Sequence, residues 1–134
     1  MSAIALGLLF VVLQSEIDWQ PSFSLSCAQI KLEGKRLKHI AFAVYKAKDK
    51  SSKCCDKQQS VYTGRTSFFG HFSVAPKLDA GNYYYLVFDA EKRKVIVPIE
   101  VKNNYKQKNC TERDFIINAK SDGTVKAETF VTVC

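Results

Sequence analysis

The sequence predicts an all-β protein, folded as a sandwich of seven or eight strands in two sheets. Apolar residues alternate with polar ones in several segments, which is the pattern of strands that bury one face. No segment carries a sustained apolar stripe at helical spacing. Turn signals recur at fairly regular intervals between the alternating segments, as in a sandwich rather than a parallel α/β sheet.

The predicted strands follow one another from residue 23 onward. The first, FSLSCAQIKL, begins with Phe23, Leu25 and Cys27 on one side. Three later strands alternate clearly. The residues on one face are Ile40, Phe42 and Val44 in the first of them, Val95, Val97, Ile99 and Val101 in the second, and Val125, Ala127, Thr129, Val131 and Val133 in the third. Residues 46–59, KAKDKSSKCCDKQQ, are predicted to form a long polar connection because they contain almost nothing apolar.

Glycines mark the expected turns, which fall at Gly34-Lys35, Phe69-Gly70, Ala80-Gly81 and Asp122-Gly123. Pro98 interrupts one of the strands, and proline cannot donate a ladder hydrogen bond. That strand is therefore expected at a sheet edge or with a bulge. The three successive tyrosines at 83–85 must alternate between faces, so at least one ring is expected to face solvent or a partner.

The N-terminus is predicted to be a signal peptide. Residues 3–13, AIALGLLFVVL, are apolar and too few to span a bilayer. Cleavage is expected after Ser15, where a small residue precedes the cut. This divides the chain into a signal peptide, residues 1–15, and a single β-sandwich domain, residues 16–134. We expect a protein secreted to the extracellular space, with no stable membrane span; the alternative is a buried N-terminal strand or helix.

Cysteine usage agrees with secretion. The five cysteines are Cys27, Cys54, Cys55, Cys110 and Cys134. No CxxC occurs and the two histidines lie far apart in sequence, so a zinc site is not expected. We expect two disulfides and one free thiol, with different partners for Cys54 and Cys55 because a bond between neighbours is strained. Asn109-Cys110-Thr111 is an N-glycosylation acceptor, which makes Asn109 a candidate glycosylation site and the protein a candidate glycoprotein.

The charge distribution suggests an anionic partner. The chain has 20 Lys and Arg against 13 Asp and Glu, a net charge of +7, and nine of the basic residues lie between 31 and 57. The candidates for binding are Lys46, Lys48, Lys50, Lys53 and Lys57. An extracellular protein or an anionic glycan would be attracted to this field. The alternative is a solvated loop that keeps the protein soluble. A nucleic acid partner is not expected, because secretion separates the protein from the nucleic acids of the cell.

The pattern of residues 23–101 resembles a known sandwich family. Thr63, Gly70, Phe72, Gly81, Tyr83, Tyr85 and Val87 follow the pattern of a strand, G-x-F, a glycine and a Tyr-rich strand. This is similar to the transthyretin-like (prealbumin-like) sandwich of secreted nematode transthyretin-like proteins and carboxypeptidase regulatory-like domains. The chain departs from the family at Ser67-Phe68-Phe69, where an acidic or Asn turn is common. The resemblance implies a disulfide-stapled sandwich with all five cysteines at one end and Cys27 bonded to Cys110 or Cys134.

The motifs do not suggest an enzyme. His39 and His71 are the only histidines, and no cluster of bases accompanies them. We expect no catalytic residues, no cofactor and no metal. Two functions stay open. The first is a secreted binding protein that acts through loops and an exposed sheet face. The second is an assembly subunit that joins copies through an edge strand or a free cysteine, for example as a disulfide-linked homodimer. A small-molecule carrier is a third, weaker alternative.

Overall fold

The computed structural model of the protein describes residues 17–22, 25, 28–55, 59–74, 78–91, 93–102 and 113–131, with the backbone alone for 113–114 and 129–131. In this part of the chain there are ten strands and no helix. The strands are β1 (Gln20–Ser22), β2 (Ala28–Leu32), β3 (Lys35–Arg36), β4 (Ala41–Lys46), β5 (Tyr62–Arg65), β6 (His71–Phe72), β7 (Tyr83–Ala90), β8 (Arg93–Val101), β9 (Arg113–Ala119) and β10 (Val125–Val131). They form two sheets that enclose one core, which confirms the all-β sandwich.

The first sheet has the strand order β1-β8-β7-β4-β5. Its central strands are antiparallel, with Phe42 of β4 opposite Phe88 of β7 and Leu86 of β7 opposite Val97 of β8. The inward faces predicted from alternation are found as expected, and they comprise Phe42 and Val44 in β4 and Val95, Val97, Ile99 and Val101 in β8. A strand with period-two hydrophobicity has to place this set on one side of the sheet.

The second sheet has the order β10-β9-β2-β3, and the short β6 also pairs with β2. Ile30 of β2 and Ile117 of β9 are fully buried and lie in the shared core. β2 and β3 are joined by a two-residue turn in which Glu33 and Gly34 both have positive φ, 51° and 78°. This is the pattern of a type I′ turn, which matches the twist of the flanking strands. All four predicted turn glycines have positive φ.

Three phenylalanines join the two sheets at the centre of the core. Phe42 and Phe88 come from the first sheet and Phe72 from the second, and their ring centroids are 5.1 to 5.3 Å apart. Aliphatic side chains without solvent exposure surround them, namely Ile30, Val44, Leu86, Val97, Ile99 and Ile117. Burial of each such side chain contributes about 1.5–3 kcal/mol, so this cluster is the main source of stability.

Two details differ from the expectation of seven or eight antiparallel strands. The described residues form ten strands, because β1 and β3 are only three and two residues long and too short to show a period. Two of the pairings are parallel, β1 with β8 and β2 with β9. Alternation reports which face of a strand is buried, and that pattern is the same for both strand directions. The sheets are therefore mixed.

β8 is not the edge strand of its sheet, but Pro98 lies in the part of β8 that β1 does not cover. In β8 it is opposite Tyr85 of β7, while β1 covers the other side only from Ile99 onward. The missing N–H of Pro98 therefore costs no ladder hydrogen bond with a described strand. Gln20 of β1 closes the same side of the sandwich, since its Oε1 accepts a hydrogen bond from Ala127 N of β10 at 2.9 Å. Within the described ranges, no helix is long and apolar enough to cross a membrane.

Candidate functional site

Residues 67–70, Ser-Phe-Phe-Gly, form a tight turn that we call the aromatic turn. Gly70 N donates to Ser67 O at 3.0 Å, and Ser67 N donates to His71 O at 2.8 Å. Ser67 Oγ also accepts from the backbone N of Phe69 and of His71, both at 3.2 Å. Gly70 has φ of 77°, as in a type I turn that is closed by a left-handed residue. The turn therefore has one well-defined conformation.

The aromatic turn is fixed to the second sheet. Ile30 N donates to Gly70 O at 3.0 Å, and Gln29 Nε2 donates to Phe69 O at 3.1 Å. A Cβ atom at position 70 would lie 3.1 Å from Ile30 O and 3.2 Å from Arg36 Cβ. Only glycine fits this position without a shift, because it combines a left-handed φ with a close approach of backbone. The turn is part of the folded domain rather than a loose loop.

Phe68 and Phe69 occupy the two central positions of the aromatic turn. Their side chains are 55% and 53% exposed, and their rings meet edge to face at 5.3 Å. The centre of a tight turn is usually polar, because it projects into water. Folding gains little from two half-exposed phenylalanines at this place. Exposed apolar side chains that folding does not require indicate a contact surface.

Each of the two phenylalanines has one cation and one histidine beside it. Lys38 Nζ lies 4.6 Å from the centroid of the Phe68 ring, and the His39 ring lies 6.1 Å away. The Arg36 guanidinium lies 5.8 Å from the Phe69 centroid, and the His71 ring lies 6.4 Å away. Cations at these distances are attracted to the ring faces. The surface therefore combines apolar rings with positive charge.

Backbone contacts fix the segment that carries these cations. Thr66 is buried, and its Oγ1 accepts from Ile40 N at 2.8 Å and donates to Leu37 O at 2.7 Å. Arg65 Nη1 donates to His39 O at 2.7 Å, which adds a third fixed positive charge. Residues 34–48 and 59–74 contain no Asp or Glu, so their positive charge is not neutralised within these segments. We call this surface, formed by Arg36, Lys38, His39, Arg65, Phe68, Phe69 and His71, the aromatic–basic tip.

The predicted lysine candidates lie elsewhere. Lys46 is exposed at the end of β4, Lys48, Lys50 and Lys53 are exposed in the connection that follows, and Lys57 lies outside the described residues. β4 begins beside the aromatic–basic tip and ends at Lys46, so about 17 Å of strand separates the two basic regions. The structure therefore does not bring the lysines together with the tip.

An aromatic cluster holds the lysine connection against the outer face of the first sheet. Trp19 contacts the rings of Tyr83 and Tyr85 at 4.9 and 5.0 Å, and its Nε1 donates to Lys50 O at 2.8 Å. The Tyr85 hydroxyl donates to Ser52 O at 2.5 Å. Burial raises the pKa of Tyr85 above its usual value. The outward tyrosines are thus covered within this chain, Tyr85 fully and Tyr83 in part, and Tyr84 faces the core.

The cysteine predictions have one correction. Cys54 and Cys55 are bonded to each other in the structure, so the expectation of different partners is wrong. A bond between neighbours closes almost no chain, and it cannot link distant strands as the predicted staples would. Cys27, Cys110 and Cys134 lie outside the described residues, and so do Asn109 and the cleavage position after Ser15. The clustering of all five cysteines stays a prediction.

Sequence reasoning missed the tip as a candidate site. It identified Ser67-Phe68-Phe69 only as a departure from a family pattern. Two phenylalanines directly before a turn glycine were the available signal, because they occupy positions that favour polar residues. Arg36 and Lys38 could not be found in this way, since they come from another part of the chain. Comparison with protein-family models gives no match, and none of the curated proteins matches the chain.

Proposed function

We propose that this protein is a secreted, non-enzymatic binding protein that engages an anionic partner through the aromatic–basic tip. The observation that carries the proposal is the pair Phe68 and Phe69, more than half exposed on a fixed turn and each beside a cation. Aromatic anchors and Arg side chains contribute most of the affinity at many interfaces. The segments that carry the tip, residues 34–48 and 59–74, contain no Asp or Glu, which favours partners of negative charge.

Binding suits this site better than catalysis. The ring contacts of His39 and His71 are with Phe68 and Phe69, and a histidine base needs a nucleophile or a substrate proton within hydrogen-bond reach. The rings and cations are also on an exposed turn, whereas reacting groups are usually held in a concave, partly dehydrated site.

A matched pair of variants tests the proposal. Arg36→Glu/Lys38→Glu alters the tip, and Lys48→Glu/Lys50→Glu alters the lysine connection; each lowers the net charge from +7 to +3. The control keeps the Trp19 contact, because Trp19 donates to the backbone carbonyl of Lys50. We expect the tip variant to lose binding to immobilised anions, and the control to lose much less.

The readout is retention on a sulfated glycan, an acidic protein and anionic vesicles at about 50 mM and about 300 mM salt. Wild-type binding should weaken at the higher salt, and this salt dependence should flatten in the tip variant. Equal losses of binding in both variants would mean that binding depends on the net charge of the protein and not on the position of the charges. A larger loss of binding in the lysine variant would mean that the anionic partner binds the connection after β4 and not the tip.

Secretion rests on sequence features that lie outside the described residues. The apolar run at 3–13, the five cysteines and the acceptor at Asn109 support it together. Expression in a secretory eukaryotic cell is expected to give a mature N-terminus at Glu16 and a glycan that Asn109→Gln removes. Retention of residues 1–15 in a cytosolic product would contradict the proposal.

We also propose that the sandwich is transthyretin-like. A two-sheet sandwich is compatible with that family, and the residues of the pattern occupy structural positions: Phe72 is in the core, Gly70 and Gly81 have positive φ, and Tyr85 is buried. An experimental structure whose strand order departs from that of transthyretin-like sandwiches would count against the assignment.

Assembly of copies is a second candidate function. The outer side of β8 is unpaired by any described strand from Arg93 to Pro98, and Ile96 in this stretch is 43% exposed. Ile96 also lines a groove of about 320 Å³ together with Ile17, Tyr85 and Pro98. Size exclusion of wild type and Ile96→Lys, with and without reductant, tests it. A monomer in both proteins would exclude this edge as an interface.

A further inference from the structure

The chemistry of the aromatic–basic tip points to one kind of anionic partner, and the inference rests on the function proposed above. We infer that the tip binds the surface of an anionic phospholipid bilayer. Phe68 and Phe69 would enter the boundary between headgroups and acyl chains, while Arg36, Lys38 and Arg65 contact lipid phosphates.

The arrangement of rings and cations fits a lipid surface. Phenylalanine is among the side chains that peripheral proteins insert at the membrane interface, where an apolar ring can be buried without a preformed pocket. Lys38 Nζ is 4.6 Å from the Phe68 centroid and the Arg36 guanidinium 5.8 Å from the Phe69 centroid. An interfacial apolar group enters about 5–10 Å deep, so cations this close to the rings remain at the level of the phosphates.

The position of the rings also favours lipid over other anions. A sulfated glycan offers charge but no apolar phase, so it would leave both phenylalanines in water. An acidic protein would need a pocket shaped for two rings that meet edge to face at 5.3 Å. A bilayer can bury the two rings in the arrangement that they already have. The fixed turn adds to the affinity, because little conformational freedom is lost when the rings enter the interface.

The experiment measures flotation of the secreted protein, residues 16–134, with vesicles of phosphatidylcholine alone, or with about one third phosphatidylserine. We expect binding to the anionic vesicles only. Phe68→Ser/Phe69→Ser should weaken it about 100-fold, about tenfold for each ring. Arg36→Glu/Lys38→Glu should weaken it at least about 25-fold, about fivefold for each charge. Lys48→Glu/Lys50→Glu, at the other end of β4, should change it by less than about threefold.

Insertion of the turn is measured separately with Phe68→Trp. This variant adds a second tryptophan to the single native one, Trp19, and its emission should shift to the blue with anionic vesicles and be quenched by brominated acyl chains. This readout remains valid if the double serine variant does not fold.

The outcomes separate the inference from the proposal on which it rests. Vesicle binding that is unchanged by the phenylalanine substitutions, or no change in Phe68→Trp emission, would overturn the lipid inference. Retention on a sulfated glycan or an acidic protein without vesicle binding would overturn it too, while leaving an anionic partner. Failure to bind any anion would overturn both.

Discussion

Gly70 affects both the stability of the sandwich and the position of the aromatic turn. Its replacement by alanine, compared with the same change at Gly34, separates the effect of a left-handed backbone from the effect of close packing. Gly70 and Gly34 have nearly the same left-handed backbone, with φ of 77° and 78°. A Cβ at Gly34 would meet nothing within 4 Å, whereas one at Gly70 would approach Ile30 O to 3.1 Å. Gly34→Ala is therefore a matched control for the backbone conformation alone.

The magnitude follows from these two positions. A left-handed conformation costs an L-residue about 1–2 kcal/mol, and the lower entropy of unfolded alanine offsets about 0.4–1 kcal/mol. Gly34→Ala should thus lower the free energy of unfolding by about 1 kcal/mol. At Gly70 the backbone must also move away from Ile30, which weakens the hydrogen bond from Ile30 N to Gly70 O. We expect a further loss of about 1–2 kcal/mol.

Urea denaturation measures both variants against wild type, and a constant slope verifies that only stability has changed. Gly70→Ala should unfold at lower urea concentration than Gly34→Ala, and on heating at a temperature about 4 °C lower for each kcal/mol of difference. It should also weaken binding at the aromatic–basic tip, which Gly34→Ala leaves intact. Equal stability losses in the two variants would refute the argument that close packing against Ile30 restricts position 70.

Tyr85→Phe should lower the free energy of unfolding by about 1 kcal/mol near neutral pH, because it removes the hydrogen bond to Ser52 O. Burial raises the pKa of Tyr85, so the folded state holds this proton more tightly than the unfolded chain; its contribution is complete below about pH 10 and is lost as the pH rises through the folded-state pKa. A difference in unfolding free energy between wild type and Tyr85→Phe that stays constant from about pH 8 to about pH 11 would contradict this pH dependence. Peptide mapping of the unreduced protein should recover Cys54 bonded to Cys55 and one further disulfide among the other three cysteines; five free thiols would contradict both the pairing and secretion.

Much of the fold could be predicted because its signals are local. The alternation in β4 and β8 placed Phe42, Val44, Val97 and Ile99 in the core, since neighbouring side chains on a strand must point to opposite faces. The turns at glycines were equally readable, because a positive φ is a property of single residues. Each of these features depends on a few consecutive positions, which is the range over which a sequence pattern acts.

Tertiary structure alone decided strand direction, the burial of the outward tyrosines and the composition of the tip. Parallel and antiparallel partners share one hydrophobic pattern, so nothing in β1 or β2 indicated its direction. Tyr85 is covered by Trp19 and hydrogen-bonded to Ser52, a residue 33 positions away. Arg36 likewise comes next to Phe69 only because the hydrogen bonds of Ile30 join the two segments that carry them. Such contacts depend on how the sheets close, and no short stretch of sequence contains that information.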